Sequence, residues 1–170
     1  KKKVLLVRNN TTEIYDLATG NLISKSAQYA PIEKFSTYAC TPDLALLFKC
    51  EYSGRIMAID DKGKETYNIQ GHTSSIRNAL FSPDSKVMYT ISTDQTIKVW
   101  QQQTGKLLGT LYLFNDGNDF VVVDQYGRLD GTEGGIKRMY YYRDRIKISL
   151  DVVYERFYTP NLYQRLVNGE

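Results

Sequence analysis

A chain of 170 residues, 42% hydrophobic and 24% charged, is long enough for one domain that removes roughly 70% of its unfolded surface from water. A net charge of +3 does not by itself demand a nucleic acid or a membrane as partner, and no apolar run approaches the roughly 18 residues of a transmembrane helix. Two cysteines make no disulfide framework, nothing in the opening residues reads as a signal peptide, and fourteen tyrosines, an unusually high number, favour sheets and interfaces.

Lys1-Lys2-Lys3 run straight into an apolar stretch without an initiating Met, which reads as a piece of a longer protein, a natural basic arm being the other reading. Residues 4–8, 12–16 and 22–27 then alternate as three strands, with Thr19-Gly20 as a turn. A second unit opens at Pro31, with strands over 32–39, 44–50, 55–60 and 65–69 and turns at 40–43 and Tyr52-Ser53-Gly54. Cys40 and Cys50 flank its first hairpin and read as small buried apolar residues.

The third unit is the most regular. After Gly71-His72 come a strand over 76–81, the turn Ser82-Pro83-Asp84-Ser85, a strand over 86–92, the turn Thr93-Asp94-Gln95, a β-branched strand over 96–100, the turn Thr104-Gly105 and a fourth strand over 106–112. Pro42-Asp43 and Pro83-Asp84 lie 41 residues apart, and Tyr15-Asp16, Ile59-Asp60 and Trp100-Gln101 recur at 44 and 41. A period of roughly 40–45 residues is that of a four-stranded propeller blade.

Gly71-His72, Phe81-Ser82-Pro83-Asp84, Ser92 and Asp94, the run 96–100 and Thr104-Gly105 resemble, in order and spacing, the WD-repeat β-propellers. The pattern departs at Gln101, where the Asp of the naming dipeptide belongs, and at Ser85, where Gly is usual. The resemblance implies a hydrogen-bonded structural tetrad of His72, Ser92, Asp94 and Trp100, so that His72 is structural rather than catalytic. It also implies an open or partial, mainly β propeller of four-stranded antiparallel blades, at about 1–30, 31–70 and 71–114. The first blade lacks its first strand, which either was cut away or comes from a distant part of the chain. The second is degenerate, with no His near Ala30-Pro31, Ser53-Gly54 in the turn and Ile59 in place of the indole.

The rest of the chain, 115–170, is expected to hold a hairpin of a partial fourth blade, from strands over 120–124 and 128–131, and two short helices. Gly134-Gly135 is expected to break the chain, and the run 136–142 is compatible with strand and with helix. Ser149 suits an N-cap, with Leu150, Val153, Tyr154 and Phe157 on one face; Thr159-Pro160 restarts a helix that Asn168-Gly169 ends. DFVVVDQYGRLDGTEGG and RFYTPNLYQRLVNGE resemble the segment that follows the WD repeats in multidomain bacterial proteins that also carry a caspase-like peptidase domain.

The expected function is therefore a non-catalytic protein-interaction and scaffolding module, cytoplasmic, without cofactor or metal. Its partner is unidentified, with an adjacent peptidase domain in the same chain as one candidate and a second copy, paired along open sheet edges, as another. Thr73, Ser74, Thr93 and Gln95 are the positions expected to face a partner at the rim. A Cys–His nucleophile finds no support, because the blade pattern accounts for the lone His72. The acidic turns around Asp116, Asp119, Asp124 and Asp130 lack a calcium loop with its terminal Glu. The alternative function is nucleic-acid binding through segment 137–147, with Arg138, Tyr140, Tyr142, Arg143 and Arg145 as the contacts; its competitor is an edge strand blunted by Lys and Arg.

Overall fold

The computed structural model describes residues 2–8, 11–27, 36–60, 62–114 and 117–169. Its strands form antiparallel meanders in chain order. The first sheet is β1 (Lys3–Arg8), β2 (Thr11–Asp16) and β3 (Leu22–Ala27). The second is β4 (Thr37–Cys40), β5 (Leu46–Cys50), β6 (Arg55–Asp60) and β7 (Glu65–Gln70). The third begins with β8 (Ile76–Phe81), β9 (Val87–Ser92), β10 (Thr96–Gln101) and β11 (Lys106–Phe114). The architecture is an open, partial propeller, mainly β. The strand expected over 32–39 is described only from Thr37; residues 28–35 lie outside the described part.

Each sheet carries the same local irregularity. Between the third and fourth strands of the blade pattern the register shifts at Ile14/Tyr15, Ala58/Ile59 and Val99/Trp100, the positions that the repeat alignment superimposes. Gly20, Gly63 and Gly105, at φ +70, +85 and +69, close the following turns, where any other L-residue would be strained. Earlier in the second and third sheets, Asp43 Oδ1 accepts from Ala45 N and Asp84 Oδ1 from Lys86 N. Those turns place Leu44 and Ser85 at φ 61 and 59, which explains why Gly suits the position that Ser85 fills.

The middle sheet is buried on both faces, because successive residues of a strand point to opposite sides. Leu47 and Ile59 pack towards the first sheet with Leu5 and Val7, whereas Phe48, Cys50 and Ile56 pack towards the third with Met88 and Trp100. Cys40 joins the first cluster and Cys50 the second, so the two free thiols stand on opposite faces of one sheet.

The C-terminal segment departs from the expectation in topology. Strand β12 (Asp119–Asp124) pairs with β11, and β13 (Leu129–Gly131) pairs with β12, so the hairpin extends the third sheet to six strands instead of starting a fourth. β11 runs nine residues, longer than the neighbouring strands, and offers β12 a complete ladder from Gly109 to Phe114. The run 136–142 divides: α1 (Glu133–Arg138) is followed by β14 (Tyr140–Arg143), which pairs with β15 (Ile146–Ser149). Thr132 caps α1 by accepting from Gly135 N, so Gly134-Gly135 lies inside a helix rather than breaking the chain. A Cβ on Gly135 would meet Phe120 O at 2.4 Å, and the glycine thus permits close helix–strand packing.

Ser149 ends β15; a 3-10 turn (Leu150–Val153) and α2 (Tyr154–Phe157) follow. The last helix, α3 (Leu162–Asn168), starts after Asn161, two residues beyond the Thr159-Pro160 restart, and Gly169 at φ +86 closes it. The helices clasp the added strands from both sides. Val121, Leu129, Ile136 and Leu150 with Tyr154 and Phe157 fill one face, and Val122, Leu162 and Leu166 the other. Tyr163 and Tyr89, hydroxyl to hydroxyl at 2.8 Å, tie α3 back to the third blade.

Candidate interaction surface

The polar end of the third blade is assembled around Thr90. Trp100 Nε1 donates to Thr90 Oγ1 at 2.8 Å, and His72 Nε2 lies 2.7 Å from the same hydroxyl. His72 Nδ1 lies 2.9 Å from Asp94 Oδ2, and Thr96 Oγ1 donates to Asp94 Oδ1. Thr90 therefore takes the hydroxyl place expected for Ser92. The register decides it: Trp100 pairs with Met88 and Lys98 with Thr90, so Thr90 is the diagonal neighbour of the indole, and Ser92 lies two residues further along the strand. Ser92 instead accepts from Asp94 N and donates to Ser74 O, which braces the turn. Thr90 could have been found by counting the hairpin pairs back from the Thr93-Asp94-Gln95 turn.

One arrangement of protons satisfies the chain: indole N–H to Thr90, Thr90 O–H to His72 Nε2, and His72 Nδ1–H to Asp94, a tautomer inferred from the network. Burial holds the His72 pKa below its ordinary value, against the opposing pull of the Asp94 bond. Burial also opposes ionisation of Asp94, but bonds from Thr96, His72 and Thr73 N outweigh it and keep the carboxyl well below the usual range. The second sheet supports the loop as well. Gly54 O accepts from both Gly71 N and His72 N, and a Cβ on Gly54 would meet His72 O at 2.1 Å.

On this frame stand the four rim residues. Thr73 N donates to Asp94 Oδ2, Ser74 Oγ and Thr93 Oγ1 lie 2.8 Å apart, and Gln95 is held at φ 67. The structure brings all four to one end of the third blade, with Thr73, Thr93 and Gln95 exposed.

The second blade replaces this network with an ion pair that sequence reading missed. Lys49, one 41-residue repeat before Thr90, reaches Glu51 Oε1 at 3.2 Å with its side chain 2% exposed. Among alternating residues a lone Lys reads as solvent-facing; it is the middle position of the sheet that buries it.

The basic, aromatic segment does not form one surface. Arg138 lies on α1, its Nε 4.0 Å from Asp119 Oδ2, rather than beside the tyrosines. Tyr140 and Tyr142 share a hairpin face with Lys147, whose Nζ sits 3.6 Å over the Tyr140 ring. Arg145 is exposed in the turn at φ 68, and the Arg143 side chain lies outside the described part. Burial pushes the Cys50 thiol up to about 12, and both ring nitrogens of His72 are engaged within another blade. Asp124 is saturated by Tyr126 N, Arg128 N and Arg128 Nε; Asp116 lies outside the described residues. Among the described residues no three His, Cys, Asp or Glu side chains cluster to hold a metal, and no helix is long and apolar enough to cross a membrane.

The family described as WD domain, G-beta repeat matches residues 63–101, the stretch that holds His72, Thr90, Asp94 and Trp100. That stretch is a WD repeat. Apoptotic protease-activating factor 1 of Mus musculus is 29% identical over 103 residues, 58% of this chain and 8% of that protein. A Lissencephaly-1 homolog of Branchiostoma floridae is 44% identical over 45 residues, 26% of this chain and 11% of that protein. The chain thus matches only a small part of either relative. Among solved structures, the computationally designed Ika4 protein aligns with TM-score 0.46 and 22% identity over 78% of this chain and 85% of that one. The match to the WD-repeat family falls on the best-formed blade of the chain.

Proposed function

We propose that this chain is a non-catalytic interaction and scaffolding module of a larger bacterial multidomain protein, and that it serves as the recruiting arm of a caspase-like peptidase. The observation that carries the reading is the rim of the WD repeat. There the Trp100–Thr90–His72–Asp94 chain fixes the Thr73-Ser74 loop against the Thr93–Gln95 turn and leaves Thr73, Thr93 and Gln95 exposed. Function in such folds resides in surfaces carried by a rigid frame. The peptidase association is supported by the C-terminal segment's resemblance and by the name of one relative, a protease-activating factor.

The test is to read the gene that encodes this chain, express the peptidase domain expected beside it, and measure its binding to the module by calorimetry. Thr73→Lys with Thr93→Glu should weaken binding at least tenfold while the fold is retained. A gene without a peptidase domain overturns the recruiting role, and rim variants that bind like the parent overturn the surface.

A second reading, association of two copies along an open sheet edge, is favoured by β1, which ends its sheet with no described strand beyond it. Light scattering that stays monomeric at every concentration would remove it.

A further inference from the structure

Away from the WD repeat, the described side chains of the C-terminal clasp border a recess. Val123, Leu129, Met139, Tyr140, Leu150 and Phe157 surround an open, almost wholly apolar pocket of about 280 Å³. Protein interiors pack without such spaces. The pocket is also at or below the low end of the roughly 300–1,000 Å³ of small-molecule sites, a size that suits one large side chain. Gly127, on the turn between β12 and β13, lines it without a side chain, and the Phe157 ring lies 4.0 Å from where its Cβ would stand.

The mouth has a charge character. Two of the aromatic walls each carry a cation: Lys147 Nζ is 3.6 Å over Tyr140, and the Arg156 guanidinium is 5.5 Å over Phe157. Both cations are exposed, so they offer charge to an arriving partner. The nearby Arg128 is already neutralised by Asp124, whose side chain is 1% exposed. An apolar recess with cations at its lip is complementary to an apolar anchor flanked by carboxylates. A nucleic-acid base is the poorer occupant, because one face of Tyr140 is taken by Lys147 and Arg138 is turned to Asp119.

We propose that this pocket binds one large apolar side chain, Phe or Leu, of an acidic peptide segment on a protein partner. The inference rests on the reading of the chain as a protein-interaction module, and it names a second contact, distinct from the rim.

Fluorescein-labelled peptides with a central Phe between Asp and Glu residues supply the probe, with a central Ala and with Lys flanks as controls. Anisotropy should show the acidic Phe peptide binding at least tenfold tighter than either control. Lys147→Glu with Arg156→Glu should abolish that preference, while emission from the single, buried Trp100 shows that the blades remain folded. Equal binding of the Ala-centred peptide, no binding of any peptide, or an oligo(dT) strand that binds while the peptides do not would each overturn the pocket. The rim variants Thr73→Lys and Thr93→Glu should leave peptide binding unchanged. Failure here with rim-dependent partner binding intact sinks the pocket alone, whereas loss of rim dependence sinks the broader reading.

Discussion

The Trp100 indole meets the Thr90 hydroxyl at 2.8 Å although the two residues are diagonal, not direct, partners across β9 and β10. This one hydroxyl also faces His72, so it joins the core to the rim loop. Thr90→Val keeps the shape and removes both bonds, leaving the indole N–H and the imidazole nitrogen buried without a partner. Each orphaned group costs about 1–3 kcal/mol. Denaturant unfolding should show that loss for Thr90→Val, near-wild-type stability for Thr90→Ser, and a smaller effect for Ser92→Ala. Equal losses at positions 90 and 92 would contradict the assignment.

Stability should also depend on pH through His72, the only histidine in the chain. Burial depresses its folded pKa, so as pH falls through about 6.5 the unfolded chain takes up a proton that the native chain does not. Its contribution is complete above that pH and declines below it. Protonation of Nε2 would also remove the acceptor of the Thr90 O–H. Asp94 acts in the same direction at lower pH: its folded pKa is depressed, so its contribution is lost as pH falls below about 3.9. Unfolding curves between pH 7.5 and 5 should show declining stability in the parent and a flatter profile in His72→Gln.

The strand order of the three blades was legible because turn chemistry and β-branched alternation agree throughout, from Thr19-Gly20 to Thr104-Gly105. Of the tetrad, the sequence indicated His72, Asp94 and Trp100 but not Thr90, since two hydroxyls lie on the same strand face and only the register separates them. The fate of the hairpin at 119–131 depends on whether its ladder forms along β11 or in a new sheet, a long-range choice that leaves no local pattern. The helix at α1 was obscured by Gly134-Gly135, whose poor propensity is overridden by the Thr132 cap and by close packing on Phe120.

The Lys49–Glu51 pair predicts an asymmetry. Glu51→Ala leaves the ammonium of Lys49 almost wholly buried with its pair broken, a change of the kind that costs about 3–5 kcal/mol. Lys49→Met fills the same space with apolar atoms and leaves Glu51, which is more exposed, within reach of water and of Ser53 Oγ. Thermal melts should therefore rank Glu51→Ala well below Lys49→Met, and the double variant should recover most of the loss. Equal melting temperatures for the two single variants would show that the pair is not desolvated.

Leu44 holds a left-handed conformation at φ 61 in the turn before β5, the counterpart of Ser85 one repeat later. Such a conformation costs an L-residue roughly 1–2 kcal/mol, against about 0.5–1 kcal/mol of chain entropy introduced by glycine. Leu44→Gly should accordingly stabilise the second blade by about 0.5–1 kcal/mol in denaturant unfolding. A destabilised variant would mean that the leucine side chain contributes more packing than its half-buried position suggests.

Leu162 is fully buried at the start of α3, against Val122, and its backbone N–H donates to Asp130 Oδ2 at 3.2 Å. Leu162→Ala removes the anchor that holds the helix to the added strands, at a cost of about 2–5 kcal/mol for that contact. Because α3 grips the outer part of the third sheet, the release should be local. Hydrogen exchange should accelerate through Leu162–Asn168 and at Val122, while amides of β9 and β10 around Thr90 and Trp100 keep their protection. Uniform acceleration across all three sheets would instead show that the clasp and the blades unfold as one unit.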